Sequence, residues 1–506
     1  MKDDSGTRLR LNLLRQAAER KVLEPLRLHG WIAAVEREST GGEEFLILTA
    51  ARGDADHRVA LLYSCASSNA LYKQLATEVE YVFYNGEPYH QESYAAGLDK
   101  PVGPVSEFPM ILMQWNEASS NGKFADVASQ DFGPPARRSM RVLLSEAPIE
   151  AVWLRLRQLQ SVTLAEKMIA DRARRESDSI EPRVLRAKAE GVSYALRNAA
   201  DYFRRGDEHA IGQRIVNLYY GTLSFAFAEI LASPIGADTL ETLENSTKLG
   251  HGLYTVDAGD DGAMAVAVGM LGSGFFPAWM AAIGVTIAGL PSRRPRSPQD
   301  LDTVNADTWI LVEDLFATIP EVADLFADIF DTPPRWIRPA GDMEANLGQA
   351  LRPGAPRSQS YIKLIDQFGR LTAKDIARFP GPISDIREVD SKGDGRHYRV
   401  LVKHEHLPQP WDALDLHHSP FERSALLLPI FGVIHQYRAI CLVLLYALSI
   451  IVRYRPSLWR RIQDGDLDHL RALIDAFIAI AERILPQAFL ETVAGQPVFA
   501  RQPAGF

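Results

Sequence analysis

The sequence predicts an α+β protein, with a small N-terminal β-barrel of the OB type followed by a large, mainly α-helical domain that carries a few short strands. Three observations predict it. Short β-type runs crowd into residues 1–116. Long amphipathic helical patterns fill most of residues 137–506. Between them, residues 117–136 are rich in small and polar residues and read as a linker.

The first apolar pattern, Leu11, Leu13, Leu14, Ala18 and Val22, has helical spacing and predicts a lead-in helix over Leu9 to Pro25. The period then shortens. Leu28 to Glu36, Glu44 to Ala50 and Arg58 to Ser64 read as strands separated by Gly, Asp and Thr clusters. Asn69 to Ala76 reads as a helix, and Glu78 to Tyr84 and Phe108 to Trp115 as two further strands. Three strands, a helix and two strands is the order of an OB barrel. In the body, Pro148 to Ile169, Pro182 to Arg205, Ala210 to Leu231 and Leu240 to Leu249 read as helices. Gly262 to Leu290 carries no charge but is broken by Gly272-Ser273-Gly274 and Pro277, so it reads as a buried strand, a turn and a buried helix. Residues 297–346 carry eleven acidic residues against two arginines, with helical spacing from Trp309 to Phe330, and read as a solvated helix face. Ile386 to Val402 reads as a hairpin, and Phe421 to Arg453 and Leu458 to Leu485 as closing helices.

Composition narrows the function classes. Hydrophobic residues make up 46% and charged residues 24%, values that support a sizeable core and exclude wholesale disorder. The net charge of −9 supplies no global attraction to nucleic acid, so an anionic partner has to meet a local basic patch. Two distant cysteines, Cys65 and Cys441, exclude a disulfide scaffold and a cysteine zinc site. The charged N-terminus does not read as a secretory signal, and the expected setting is cytoplasmic, with no membrane span. Leu426 to Val452 is apolar but interrupted by His435, Gln436 and Arg438, which suits a buried helix better than lipid.

No phosphate loop, dinucleotide fingerprint, His-Glu-x-x-His or Gly-x-Ser-x-Gly motif is present, and no cofactor is expected. His404, His406, His417 and His418 have some metal-like spacing but read as loop histidines, so no metal site is expected. Arg204 and His209 have the Arg-x4-His spacing of helical ribonucleases of the HEPN type, with Gly206-Asp207 interrupting the helix between them. His251 stands between Gly250 and Gly252, where flanking glycines let the chain turn and expose an imidazole. From His435 to Arg461 there are five arginines and no acid, and Arg453-Tyr454-Arg455 with Trp459 interleaves cations and rings. That pattern suits phosphate binding with base stacking, or the snorkelling end of a packed helix. In the barrel, Trp31, Arg58 and Lys73 are the candidate surface residues, against a net charge of −4 over residues 1–116.

Three stretches in order carry a family likeness: Arg214-Ile-Val-Asn-Leu-Tyr-Tyr-Gly221, Lys248-Leu-Gly-His-Gly-Leu253 and Leu448-Ser-Ile-Ile-Val-Arg-Tyr-Arg-Pro456 with Trp459. Together they resemble the YaaC-like family of bacterial proteins over roughly residues 140–490. The resemblance implies a mainly helical bacterial protein and brings no established activity. The leading expectation is a nucleic-acid-associated protein, in the setting of phage defence or mobile elements, that binds single strands, with the barrel contributing recognition and the helical body a second basic surface. Arg214, Tyr219, Tyr220, His251, Arg453, Arg455 and Trp459 are its candidate site. The alternatives are a metal-independent RNA-cleaving effector using an Arg/His pair, and an adaptor that docks a partner protein on the acidic 297–346 face.

Overall fold

The computed structural model describes residues 4–39, 43–52, 55–86, 94–98, 100–109, 111–112, 115–116, 141–204, 210–258, 265–342, 345, 358–390, 395–405, 407, 409–419 and 424–501. The expected linker lies outside them. The chain divides into two compact units, Met1–Pro134 and Pro135–Phe506.

In the first unit, α1 (Asp4–Ala18) continues through a π-helical turn and Glu24–Leu28 into β1 (Ile32–Glu38), β2 (Phe45–Arg52) and β3 (Ala55–Leu62). Then come α2 (Asn69–Ala76), β4 (Tyr81–Tyr84) and β5 (Val102–Pro104). The order of three strands, a helix and two strands is as expected, but the architecture differs from a barrel. The five strands form an open sheet in the order β1-β2-β3-β4-β5, with β3, β4 and β5 mutually parallel.

Both faces of this sheet are covered. Leu46, Leu48, Val59 and Leu61 pack with Leu14, Val22 and Leu26 from the leading helices. Ile47, Ala60 and Leu62 pack on the other face with Leu71, Tyr72 and Leu75 of α2. A run such as Phe45-Leu-Ile-Leu, apolar at successive positions, suits a strand with two buried faces and not a barrel wall with one wet side. The segment expected as the last strand is helical at Phe108, Ile111, Leu112, Trp115 and Asn116. Trp31, expected on the surface, is 2% exposed and donates its Nε1–H to Asn116. Arg58 is half-exposed and paired with Glu36, and Lys73 is exposed.

The second unit is built around a helical core. α3 (Pro148–Gln158) and α4 (Val162–Arg175) replace the single helix expected from Pro148. The break follows Gln158, where Leu159-Gln160 forms a turn before Ser161. α5 (Pro182–Arg204) and α6 (Ile211–Ala232) form the principal antiparallel pair, packed with α9 (Tyr437–Tyr454), α10 (Pro456–Asp464) and α11 (Asp468–Ala494). Lys188 of α5 is fully buried and donates to the carbonyls of Ser233, Gly236 and Ala237 at 2.9–3.1 Å. Its ammonium thus satisfies carbonyls just past the end of α6, where orphan acceptors and the helix dipole favour a cation.

α7 (Leu240–Lys248) leads into a three-stranded antiparallel sheet of β7 (Leu253–Asp257), β8 (Val266–Met270) and β9 (Trp309–Leu311). After β8 a Gly turn enters α8 (Phe275–Ala282), the buried strand, turn and helix that the uncharged stretch implies. Residues 309–330 are not one solvated helix. They form β9, the short helices Val312–Ala317 and Ala323–Ile329, and an intervening 3-10 turn. Much of their acidity is used internally: Glu321 is buried against His417 and Tyr437.

A second sheet has the order β12-β13-β11-β10-β14. It comprises β10 (Trp336–Gly341), β11 (Gln359–Asp366), β12 (Ile383–Val389), β13 (Arg396–Lys403) and β14 (Leu426–Leu427), and it contains the expected hairpin. β6 (Arg141–Leu144) and β15 (Val498–Arg501) pair in parallel and close the unit. α6 and α9 are long and apolar enough to cross a membrane by length and composition, and 83% and 72% of their apolar windows lie buried within the protein.

Candidate anion-binding site

The site forms where α5, α6, the loop before β7 and the end of α9 meet. Gly221 sets the approach of α5 to α6. A Cβ there would lie 2.7 Å from a Phe203 ring carbon and 3.1 Å from the Cβ of Tyr202. With no side chain in the way, the Tyr202 and Tyr220 rings stack at 5.8 Å.

The Gly250-His251-Gly252 loop is anchored through its backbone. Gly250 and Gly252 have φ of +94° and +76°, a region glycine enters freely. Gly274, at φ +114°, lies so close that a Cβ would stand 2.4 Å from the Gly252 nitrogen. The Gly250 and His251 carbonyls accept from the Phe275 and Phe276 amides at 3.0 and 2.9 Å. The loop therefore caps α8 and presents the His251 ring to α6.

His251 Nδ1 lies 2.8 Å from the Tyr219 hydroxyl, and the two rings meet edge-on at 5.5 Å, with Tyr446 at 6.0 Å from His251. Burial, aided by the Arg453 guanidinium, holds the imidazole below its ordinary pKa and therefore neutral at pH 7. Burial pushes the Tyr219 hydroxyl up, so it keeps its proton. With Nδ1 engaged by Tyr219, Nε2 is the nitrogen left for other work.

Arg453 stands in the last turn of α9. Its guanidinium donates to the Ser449 carbonyl and hydroxyl at 3.1 and 3.2 Å and to the Tyr220 hydroxyl at 3.3 Å. It lies 5.9 Å from the Tyr220 ring centre and 5.1 Å from that of Tyr454. Among the described residues no carboxylate pairs with it. A half-buried cation without a carboxylate partner favours an incoming anion.

The other candidates separate from this group. Arg214 forms a two-point ion pair with Glu482, at 3.2 and 2.8 Å. Arg455 is paired with Asp257. Trp459 is 8% exposed and packs beside Gly212, so it is not a free stacking platform. Arg204 is the exposed last residue of α5, and His209 lies outside the described residues. Of the loop histidines, His404 is buried between Ser360 and the Leu407 carbonyl, and His406 lies outside the described residues. His417 is tied to Glu321, and His418 to Ser424.

A family model described as YaaC-like Protein matches residues 157–493. The chain belongs to the YaaC-like family. No curated protein and no solved structure matches it. The YaaC-like segment runs from the end of α3 to near the end of α11 and contains every residue of the Tyr219, Tyr220, His251 and Arg453 group. The first unit lies outside it.

Sequence reasoning missed the partners that decide which arginines are open. Glu482 and Asp257 neutralise Arg214 and Arg455 from 268 and 198 positions away in the chain, and no local pattern marks such pairs. It also passed over Arg294, whose guanidinium donates to the Thr255 carbonyl at 2.9 Å. The signal was legible there: Arg293-Arg294-Pro295-Arg296 directly follows the uncharged stretch.

Proposed function

We propose that the chain is a nucleic-acid-associated bacterial protein of the cytoplasm, and that Arg453 grips a phosphate of a single strand, with Tyr454 stacking on a base. One observation carries the reading: the Arg453 guanidinium has no carboxylate among the described residues and lies beside two tyrosine rings and a neutral histidine. Tyr454 is 68% exposed, which leaves its ring open to a base. Both faces of the first unit's sheet are covered, so the reading gives strand recognition to the body. A place in phage defence or beside mobile elements belongs to the same proposal.

The test is binding of labelled single-stranded DNA and RNA across a salt series. Binding should weaken steeply as salt rises. Arg453→Gln should lower affinity about tenfold or more, a loss of about 1.4 kcal/mol or more for one charge-assisted contact. Unchanged affinity in that variant removes the reading.

A second reading, RNA cleavage without metal, is favoured by the neutral His251 beside Arg453. With Nδ1–H donating to Tyr219, Nε2 would take the proton of a ribose 2′-hydroxyl as that oxygen attacks the adjacent phosphorus and the 5′-oxygen departs. Arg453 would stabilise the added negative charge, and solvent would protonate the leaving oxygen. Purified protein should then cleave RNA in the presence of a chelator, and His251→Ala should abolish cleavage. RNA left intact after long incubation would dismiss it.

A further inference from the structure

β7 is the edge strand of its sheet, with β8 on one side only. Its outward carbonyls are not left to another strand. Leu253 accepts from the Tyr446 hydroxyl at 2.9 Å, and Thr255 from Arg294 Nη2 at 2.9 Å. At the far end, the Asp257 carboxylate pairs with Arg455. Side chains from α9 and from residues 291–297 thus blunt the edge against strand addition. They also line it with positive charge. Arg294 and Arg453 both oppose the rise that burial gives the Tyr446 hydroxyl, so each lies within electrostatic reach of it.

The 291–297 loop is itself fixed. The Pro291 carbonyl accepts from the Gly272 amide at 3.0 Å, and Ser297 closes a capping box with Asp300. Between those anchors Arg293, Arg294 and Arg296 are exposed, and none forms an ion pair with a carboxylate among the described residues. Arg294 and Arg455 reach the edge itself, Arg453 stands two residues before Arg455, and Arg293 and Arg296 flank Arg294; among the described residues these five meet the Asp257 carboxylate at Arg455 and the Asp300 carboxylate beside Arg296. Such crowding of like charge is unfavourable unless a counter-charge covers it.

From Leu253 to Asp257 the edge runs about 13 Å, at ~3.3 Å per residue. That exceeds the reach of a single phosphate. A chain of phosphates fits better than a mononucleotide.

We propose that the β7 edge is a track for a phosphodiester strand several nucleotides long, which leaves Arg453, passes Arg294 and ends on the Arg293–Arg296 loop. The inference rests on the reading of Arg453 as a phosphate site and names the class of ligand that this site takes.

The experiment measures the affinity of the full chain for labelled oligothymidylate and oligouridylate of 2, 6 and 12 nucleotides over a salt series. Wild type should bind the longer oligomers more tightly. Arg293→Gln with Arg296→Gln leaves the Arg294 hydrogen bond in place. It should bring 12-mer affinity down about tenfold toward that of the dimer, leave the dimer unchanged, and reduce the salt slope by about 1.4 for two lost contacts on a single strand. Arg294→Gln should act in the same direction, with thermal unfolding run beside it to register loss of the Thr255 bond. A double variant that binds the 12-mer like wild type, with the same salt slope, overturns the track and leaves Arg453 standing. An Arg453→Gln variant that binds every length like wild type overturns the Arg453 reading. Wild type that binds no oligomer overturns both.

Discussion

The two ends of α9 each carry an arginine, and the two are in opposite conditions. Arg438, in the first turn, makes a two-point ion pair with Glu229 of α6, and the Trp279 indole donates to the same carboxylate at 3.0 Å. Arg453, in the last turn, touches a serine and two tyrosines and meets no carboxylate among the described residues. The same contrast separates two histidines of the unit. His417 stacks on Tyr437 at 3.9 Å with its Nε2 2.7 Å from buried Glu321, whereas His251 has the Tyr219 phenol as its hydrogen-bond partner. Where the fold supplies a buried carboxylate, the polar group is consumed in holding helices together. Where it supplies phenols and hydroxyls, as at Arg453, no carboxylate among the described residues consumes the charge.

Breaking the first arginine should have the largest effect on stability. Glu229→Ala leaves the Arg438 charge buried and unpaired, which costs about 3–5 kcal/mol. Urea unfolding should show the midpoint collapse, while Arg453→Gln should barely move it. If the two variants unfold alike, the contrast between the ends of α9 is lost.

A smaller loss should follow from overpacking. Gly221→Val pushes a branched side chain into the Phe203 ring and should cost about 1–3 kcal/mol by thermal unfolding. It should also lower single-strand affinity by displacing Tyr220. Loss of stability with affinity intact would separate the α5–α6 approach from the site.

The histidines sharpen the comparison through pH. His435 is 2.6 Å from Asp415, and that hydrogen bond raises its pKa. Its contribution is therefore full below about pH 6.5, the unfolded value, and is lost as pH rises through the folded value. His251 has the opposite sign. Its folded pKa is depressed, so stability falls as pH drops below about 6.5 and goes on falling to the folded value. Unfolding free energies from pH 5 to 8 should show Asp415→Asn abolishing the first dependence and His251→Gln the second. Equal and parallel profiles for the two variants would contradict the assigned directions.

The smallest effect belongs to the first unit. Arg58 and Glu36 are half-exposed, so Arg58→Ala should leave both the melting temperature and strand binding unchanged. A drop in binding would return the first unit to the recognition role that its sheet does not suggest.

Helices with a single apolar stripe and clear ends were legible along the chain. Pro182–Arg204 and Ile211–Ala232 fall within a residue or so of the pattern, and Gly272-Ser273-Gly274 marks the turn between β8 and α8. Phe108 to Trp115 was misread because a short apolar run has no clear period, and its partners on the sheet decide its state. Of the candidate site, Tyr219, Tyr220, His251 and Arg453 stood out as polar groups among apolar neighbours. Their mutual contact depends on α6, the β7 loop and α9 arriving together.

The amino-acid sequence by itself determined a two-part chain, the family of its larger part, the principal helices and a local excess of arginine near the end of α9. Those features come from neighbours a few positions apart, which propensity and periodicity report. Tertiary structure alone decided that the N-terminal sheet is open and covered on both faces, and that Arg214, Arg438 and Arg455 are neutralised while Arg453 meets no carboxylate among the described residues. The reason is electrostatic and long-range: whether a charge is spent or free depends on a carboxylate brought to it across some two hundred positions of chain, and only packing brings it there.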